Sequence, residues 1–468
     1  MKKDLPGEII TELRSIVGGA FIFTDDENLA SHSHDETEDL HFLPAVVVKP
    51  RTSEEISAIL KIANEHKIPV TPQGARTGLS GGALPVHGGI ALSMERFNEI
   101  LFIDERNLQV TVEPGVITQV LQDAVKEKGL FYPPDPASRG SCFIGGNVAE
   151  NSGGPKAVKY GVVKDYVLNL EVVLPTGEII HTGANVLKNA TGYNLTQLMV
   201  GSEGTLGIIT KIVLKLIPHP QNDLLILVPF TSAIKACEAV GAVFRAGITP
   251  SAMEFLERDA IDWALKYIDD VTVHITHDTN AILLVEVDGN NMDVLMQEIE
   301  TISGIMEQHE CGEILFAENE RQKTDLWKMR RKVGEAVKSN SIYKEEDTVV
   351  PRAELPKLLE GVKAIGAKYN FKSVCYGHAG DGNLHVNIIK GDLSDEDWNN
   401  KLPEAIKEIF QLVVSLGGTI SAEHGIGLVQ KNYMPIAFDK TQLKVFRAIK
   451  KLFDPMGILN PGKVIDIL

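Results

Sequence analysis

Pro72-Gln73-Gly74-Ala75-Arg76-Thr77-Gly78-Leu79-Ser80-Gly81-Gly82 follows directly on a short apolar strand at residues 68–71. Glycines at this density permit positive φ and close backbone approach, so successive N–H groups can converge on an anion such as a diphosphate. For the loop taken alone, a flexible surface turn is the lesser alternative. It fits neither standard nucleotide signature: no Gly-x-Gly-x-x-Gly follows a strand, and Gly-x-x-x-x-Gly-Lys-Ser/Thr is absent. A conventional NAD site and a P-loop hydrolase are both unsupported.

Outward from this loop, strand and helix alternate. Residues 45–48 form an apolar strand, and 53–66 a helix with Ile56, Ile59, Leu60 and Ala63 on one face, entered through Thr52-Ser53-Glu54-Glu55 with capping-box spacing. A second such unit runs from the alternating strand Leu108, Val110, Val112 through Pro114-Gly115 into a helix that turns Ile117, Val120, Leu121, Ala124 and Val125 inward. Between Gly140 and Gly207 long glycine-rich loops separate short strands at 170–174 and 208–216, the texture of a loop-built binding domain ending near Pro218-His219-Pro220. Beyond it, strands at 224–228 and 282–287 alternate with amphipathic helices at 233–244, 292–308 and 355–369, which predicts an α+β layer with helices on one face of a sheet. Residues 420–468 carry glycines again and one helix around 442–452.

The chain has 468 residues, with 46 Lys plus Arg against 63 Asp plus Glu, a net charge of −17. That charge repels phosphate backbones and anionic lipid, and no long basic run offsets it, so nucleic acid and membrane surfaces are not expected partners. The four cysteines never form a Cys-x-x-Cys pair, which argues against a zinc ribbon or an iron–sulfur cluster and suits a reducing compartment. Met1-Lys2-Lys3-Asp4-Leu5-Pro6 lacks the apolar stretch of a secretory signal, and no apolar run approaches the ~20 residues of a membrane-spanning helix. A cytoplasmic protein is expected, peripheral at the inner membrane only through partners.

Two more segments share the character of the first loop. One runs from Pro133-Pro134-Asp135-Pro136-Ala137-Ser138 to Ile144-Gly145-Gly146-Asn147-Val148-Ala149-Glu150-Asn151-Ser152-Gly153-Gly154; the other is Gly201-Ser202-Glu203-Gly204-Thr205-Leu206-Gly207-Ile208. In this order the three resemble the FAD-binding domain of the vanillyl-alcohol oxidase and p-cresol methylhydroxylase type. The resemblance implies that the first loop wraps the FAD diphosphate while the later ones line ribose, adenine and flavin. The implied contacts are Pro72, Gly74, Ala75, Arg76, Thr77, Gly78, Leu79, Ser80, Pro134, Asp135, Ser138, Gly145, Asn147, Gly154, Glu203 and Ile208. Some members attach flavin through a histidine in the first loop; here Arg76 and Thr77 stand there, so non-covalent FAD is expected.

Gly377-His378-Ala379-Gly380-Asp381-Gly382-Asn383-Leu384-His385-Val386-Asn387 sets two histidines across a glycine turn, the second on a strand whose Asn383, His385 and Asn387 share a face. Glu423-His424-Gly425 lies further on, and two histidines with a carboxylate make an open metal site, although an arbitrary histidine pair is more often structural. Together these motifs resemble the flavin-dependent D-2-hydroxy-acid dehydrogenases, including D-lactate and D-2-hydroxyglutarate dehydrogenases and the flavin subunit of bacterial glycolate oxidase. The resemblance covers residues 44–463. It implies that His378, His385 and Glu423 hold a divalent metal, usually zinc, with manganese, iron or cobalt also suited, and that His424 is the base and touches substrate.

A 2-hydroxy acid is an anion and needs local cations. The resemblance points to Arg330, whose planar fork suits a carboxylate, and to Lys344, with Asn387 and His424 as further substrate contacts. Gly334 stands where hydroxyglutarate enzymes have a threonine, which favours a smaller acid such as lactate or glycolate. Asn460-Pro461-Gly462-Lys463 resembles the closing motif in which the asparagine approaches the flavin, though a simple turn would use the same residues.

The expected fold class is therefore α+β: a two-part FAD-binding domain of the p-cresol methylhydroxylase type (1–219), an α+β substrate or cap domain with an antiparallel sheet (220–419), and a segment returning to the FAD domain (420–468). The expected function is FAD-dependent, metal-assisted oxidation of a D-2-hydroxy acid to the 2-oxo acid. An external quinone, electron-transferring flavoprotein or iron–sulfur subunit takes the electrons, and a homodimer is allowed for. The alternatives are the flavin subunit of a multi-subunit glycolate or lactate oxidase, and a non-redox transferase of the alkyl-dihydroxyacetone-phosphate synthase type.

Overall fold

The computed structural model describes residues 5–269, 271, 273 and 275–467; the first four residues, on which the leader reading partly rests, lie outside these. The chain forms two units: Met1–Ser152 with Val162–His219 and Glu423–Leu468, and Gly153–Gly161 with Pro220–Ala422.

In the first unit, Val46–Val48, Ile90–Ser93 and Val70–Gln73 are parallel neighbours, edged by antiparallel Ile22–Phe23. Parallel pairing requires a crossover, supplied by the helix Ser53–His66, whose Ile56, Ile59, Leu60 and Ala63 are all fully buried. Thr52 Oγ1 accepts from the Glu55 N–H at 3.2 Å, a cap contributing about 1 kcal/mol. Glu55 itself does not close the expected box; its carboxylate accepts from the Arg51 N–H at 2.7 Å.

A second, antiparallel sheet has the order Ile100–Asp104, Gln109–Val112, Ile208–Lys215, Val167–Val173, Ile179–His181. The helix Thr118–Lys126 packs Leu121 and Val125 against it. Val120, expected inward, is 52% exposed, because the buried stripe runs Thr118, Leu121, Val125 and Val120 lies about 100° away around the helix. The end of the chain is tied into the first sheet: Val70 N donates to Ile458 O at 2.8 Å and Asn460 N to Val70 O at 2.7 Å.

The second unit is built on a seven-stranded antiparallel sheet, ordered Leu315–Phe316, Asn222–Phe230, Ala281–Gly289, Ala252–Glu257, Lys372–Gly377, Asn383–Ile389, Tyr343–Val349. Its helices cover both faces, not one as the sequence predicted. Leu225, Leu227, Ile282 and Leu284 pack with the helices Arg258–Tyr267, Glu320–Arg331 and Val333–Asn340. Leu224, Ile226, Val228, Leu283, Val285 and Val287 alternate to the opposite face and are also buried, there meeting Ala233–Arg245 and Met292–Gln308. Two buried faces need two helical layers, and near-continuous apolar strands signal this. The segment Gly153–Gly161 joins this unit through Lys159 Nζ, 2.6 Å from Asp288 Oδ1, and through a Lys156–Glu286 ion pair.

Candidate active site

An open cleft in the first unit holds about 1430 Å³ of space between atoms, the solvent at its mouth included. Pro72 to Leu79 form one wall, Ser138, Gly145 and Asn147 a second, and Glu203 and Ile208 a third, with Glu150, Glu423 and His424 lining it too. Among the described residues Arg76 is the one arginine or lysine in the lining, held at φ 59° with its guanidinium half-buried, and burial lowers its pKa. Beneath the loop, burial and the Arg76 charge depress the pKa of His32 to about 4, so this ring is neutral at pH 7.

Carboxyls gather elsewhere in the lining. Glu203, at φ 51°, accepts from the N–H groups of Ile426 at 2.8 Å and Gly427 at 2.6 Å. Burial raises its pKa to about 7 against the pull of those donors. Burial, then the Glu203 charge, push Glu150 well above the ordinary carboxylate range. His424 Nε2 is 3.8 Å from Glu423 Oε1.

The second unit carries the other half of the expected chemistry. The hairpin between Lys372–Gly377 and Asn383–Ile389 turns at Gly382, φ 76°, where a β-carbon would come 2.0 Å from Val350 O. It brings the His378 and His385 rings to 5.4 Å between centroids. His378 Nδ1–H donates to Glu254 at 2.8 Å, and Arg330 Nε lies 2.6 Å from the other Glu254 oxygen. Burial alone would raise the Glu254 carboxyl, but Arg330 and His378 outweigh it and hold it ionised. With Nδ1 committed to a carboxylate, His378 presents Nε2 as its ligand atom, the orientation metal-binding histidines adopt. Glu345 Oε1 stands 3.3 Å from His385 Nδ1, and the Arg330 guanidinium lies 5.1 Å over the Tyr376 ring. The donor set, two imidazoles backed by carboxylates, fits a divalent ion of the zinc type.

Strand register separates two of the expected substrate contacts. Asn387 pairs with Glu345 and His385 with Asp347, so these share a face. Lys344 pairs with Ile388 on the opposite face, its Nζ 5.3 Å from the Trp398 ring. Lys344 therefore does not join Arg330, a correction that follows from the two-residue period of the strand.

Ser80, Pro134, Asp135, Gly154 and Asn460, also expected contacts, are not among the residues that line this cleft. Ser80 O accepts from Leu428 N and Val429 N; Pro134 O accepts from Gln122 Nε2; Asp135 is buried, 3.7 Å from Arg139. Gly154 belongs to the segment counted with the second unit. Asn460 is a clamp: Nδ2 donates to Gly82 O at 3.0 Å and Glu203 O at 2.9 Å, while Oδ1 accepts from Lys463 at 3.0 Å. Sequence reasoning missed Glu150 and Glu254 as site residues. Glu254 was detectable as a lone acid within the apolar run Ala252-Met253-Glu254-Phe255-Leu256.

The chain thus carries a glycine-walled cleft and, in its second unit, a histidine–carboxylate pair. Residues 44–183 match the FAD binding domain model, and residues 219–464 match the model of FAD linked oxidases, C-terminal domain. The chain belongs to the FAD-linked oxidase family. It is 40% identical to the glycolate oxidase subunit GlcD of Bacillus subtilis (strain 168), covering 94% of this chain and 93% of that one. It is 36% identical to D-lactate dehydrogenase of Anaerostipes hadrus (98% and 97% covered) and 34% to D-2-hydroxyglutarate dehydrogenase of Stutzerimonas stutzeri (strain A1501; 97% and 98%). In fold it matches p-cresol methylhydroxylase with a TM-score of 0.81 at 18% identity, covering 98% of this chain and 97% of that one. An alkyldihydroxyacetonephosphate synthase has the same fold, with a TM-score of 0.77 at 18% identity, covering 98% and 85%. No helix among the described residues is long and apolar enough to cross a membrane.

Proposed function

We propose that the protein oxidises a small D-2-hydroxy acid, lactate or glycolate, to the corresponding 2-oxo acid in the cytoplasm. The observation that carries this is the Glu254 carboxylate shared by His378 at 2.8 Å and Arg330 at 2.6 Å, which ties a metal-ligand histidine to a carboxylate-binding cation. The names of the relatives support the substrate class.

Arg330 binds the substrate carboxylate, and the partial neutralisation by Glu254 limits the cost of burying its charge. Asn387 adds a polar contact. His424 removes the hydroxyl proton as a neutral imidazole. Pro72 to Leu79, Ser138, Gly145, Asn147, Glu203 and Ile208 would hold non-covalent FAD, which would supply the two-electron acceptor for the α-hydrogen. A divalent metal, with zinc the first expectation and His378, His385 and Glu423 as ligands, would lower the pKa of the substrate hydroxyl. Gly334 offers no hydroxyl where hydroxyglutarate enzymes have a substrate-binding threonine, in keeping with a smaller acid.

The test is anaerobic. D-lactate or glycolate should bleach the flavin, and prior chelation should prevent it, while L-lactate leaves the spectrum unchanged. A flavin indifferent to every D-acid and to glycolate would refute the proposal. A relative named as an oxidase subunit supports a second reading, in which electrons leave to a partner protein; copurifying subunits would distinguish it.

A further inference from the structure

Residues 423–430 carry His424 and form neither helix nor strand, so the placement of this loop rests on individual hydrogen bonds. At its far end Ser80 O accepts from Leu428 N at 2.8 Å and Val429 N at 3.2 Å, and Gly427 O accepts from Val464 N at 2.9 Å. Closer to His424 the tie is a side chain. Glu203 Oε1 accepts from Ile426 N at 2.8 Å and Oε2 from Gly427 N at 2.6 Å, so each carboxylate oxygen holds one N–H. Of these bonds the Glu203 pair lies nearest His424 in the chain. The packing around it is close. A β-carbon on Gly425, φ 81°, would collide with Glu150 Oε2 and come 3.0 Å from Glu203 Cδ, and one on Gly427, φ 48°, would collide with Ser80 O.

Glu203 is itself fixed to the wall of the cleft. Its N–H donates to Ala149 O at 2.8 Å, and its carbonyl accepts from Asn460 Nδ2 at 2.9 Å. A β-carbon on the following Gly204 would come 2.7 Å from Pro72 Cγ, at the start of the first glycine loop. The backbone of Glu203 thus belongs to the wall, while its carboxylate reaches across to the loop of His424.

We propose that Glu203 is the positioning residue of His424: its carboxylate clamps the N–H groups of Ile426 and Gly427 and so fixes the imidazole relative to the glycine-walled cleft. The inference rests on the reading that FAD fills this cleft and that His424 is the base. A general base works only within hydrogen-bond reach of the proton it takes, and a displacement of about 1 Å can cost roughly 100-fold in rate. Two bonds to adjacent N–H groups resist both translation and rotation of the loop, whereas one would leave a pivot. Glu203 touches no reacting atom and acts through His424.

Glu203→Gln tests this, since the amide keeps one acceptor and turns an NH₂ group on the second N–H. Hydrogen exchange of the holoenzyme, followed by mass spectrometry, comes first and needs no substrate. Amides of residues 424–430 should exchange about tenfold faster in the variant, and those of residues 383–389 at the wild-type rate. Anaerobic stopped-flow reduction of the flavin by D-lactate or glycolate follows, in wild type, Glu203→Gln, His424→Ala and the double variant. Glu203→Gln should slow reduction roughly 10- to 100-fold in the wild-type background. With His424 already replaced, it should change the rate by no more than about twofold. Losses that multiply in the double variant would overturn the proposal. So would unchanged exchange at 424–430, or a single variant at either position that reduces as fast as wild type. If Glu203→Gln does not retain FAD, Glu203→Asp, which keeps the charge and shortens the reach, goes through the same measurements. Loss of FAD from both would make Glu203 a flavin contact and refute the positioning role. A wild-type flavin that neither acid reduces refutes the hydroxy-acid reading, and the exchange rates then decide the clamp by themselves.

Discussion

His378 Nδ1 donates to Glu254 across 2.8 Å, joining residues 124 positions apart in the chain, and both are buried. The bond assigns the tautomer of His378 and so decides which nitrogen is presented to an ion. Glu254→Gln should therefore lower bound metal and kcat together, by about 10- to 100-fold in metal affinity. Metal analysis of the purified variant, alongside an unchanged flavin spectrum, checks this.

Arg330 is 5% exposed and is shared between Glu254 and the space it faces. Arg330→Met should raise KM for the hydroxy acid by roughly 10- to 100-fold, the equivalent of losing a charge-assisted hydrogen bond of about 1.5–3 kcal/mol. Because the variant also leaves Glu254 without its buried counter-charge, it should melt earlier than wild type. Lys344→Met, on the other strand face, should leave KM within twofold.

Arg76 occupies a left-handed conformation that glycine adopts without strain. Arg76→Gly should stabilise the apoprotein by about 1 kcal/mol while weakening FAD binding and flattening its salt dependence. Thermal melts of the apoprotein and flavin titration at two ionic strengths separate the effects. Acid precipitation should release the flavin from both proteins.

His32 has a folded pKa of about 4 against an ordinary 6.5. The unfolded chain therefore binds this proton first, and the corresponding stability is fully present above about pH 6.5 and is lost as pH falls from 6.5 toward 4. Chemical denaturation at pH 7.5 and 5 should show a smaller loss for His32→Asn than for wild type.

The three glycine loops, the His-x-Gly-Asp-Gly-Asn-Leu-His turn and the main helices were legible because each depends on local geometry. Helix Met292–Gln308 and helix Leu355–Tyr369 match the ranges that apolar periodicity predicts. Neighbourhoods were less legible. Lys344 and Arg330 both carry the right charge, yet register puts Lys344 over Trp398. Asn460 carries the expected motif and spends its amide on Gly82 O and Glu203 O.

The sequence by itself held the order of motifs through which the chain resembles its family, and FAD came with that resemblance, since glycine spacing and the histidine turn act within a few residues. Only the tertiary structure decided that Glu254 backs His378, that Lys344 faces away and that Glu150 shares Gly425 with Glu203. Each of these is a pairing over tens to hundreds of residues, set by strand register and burial, and such pairings leave no trace in local spacing.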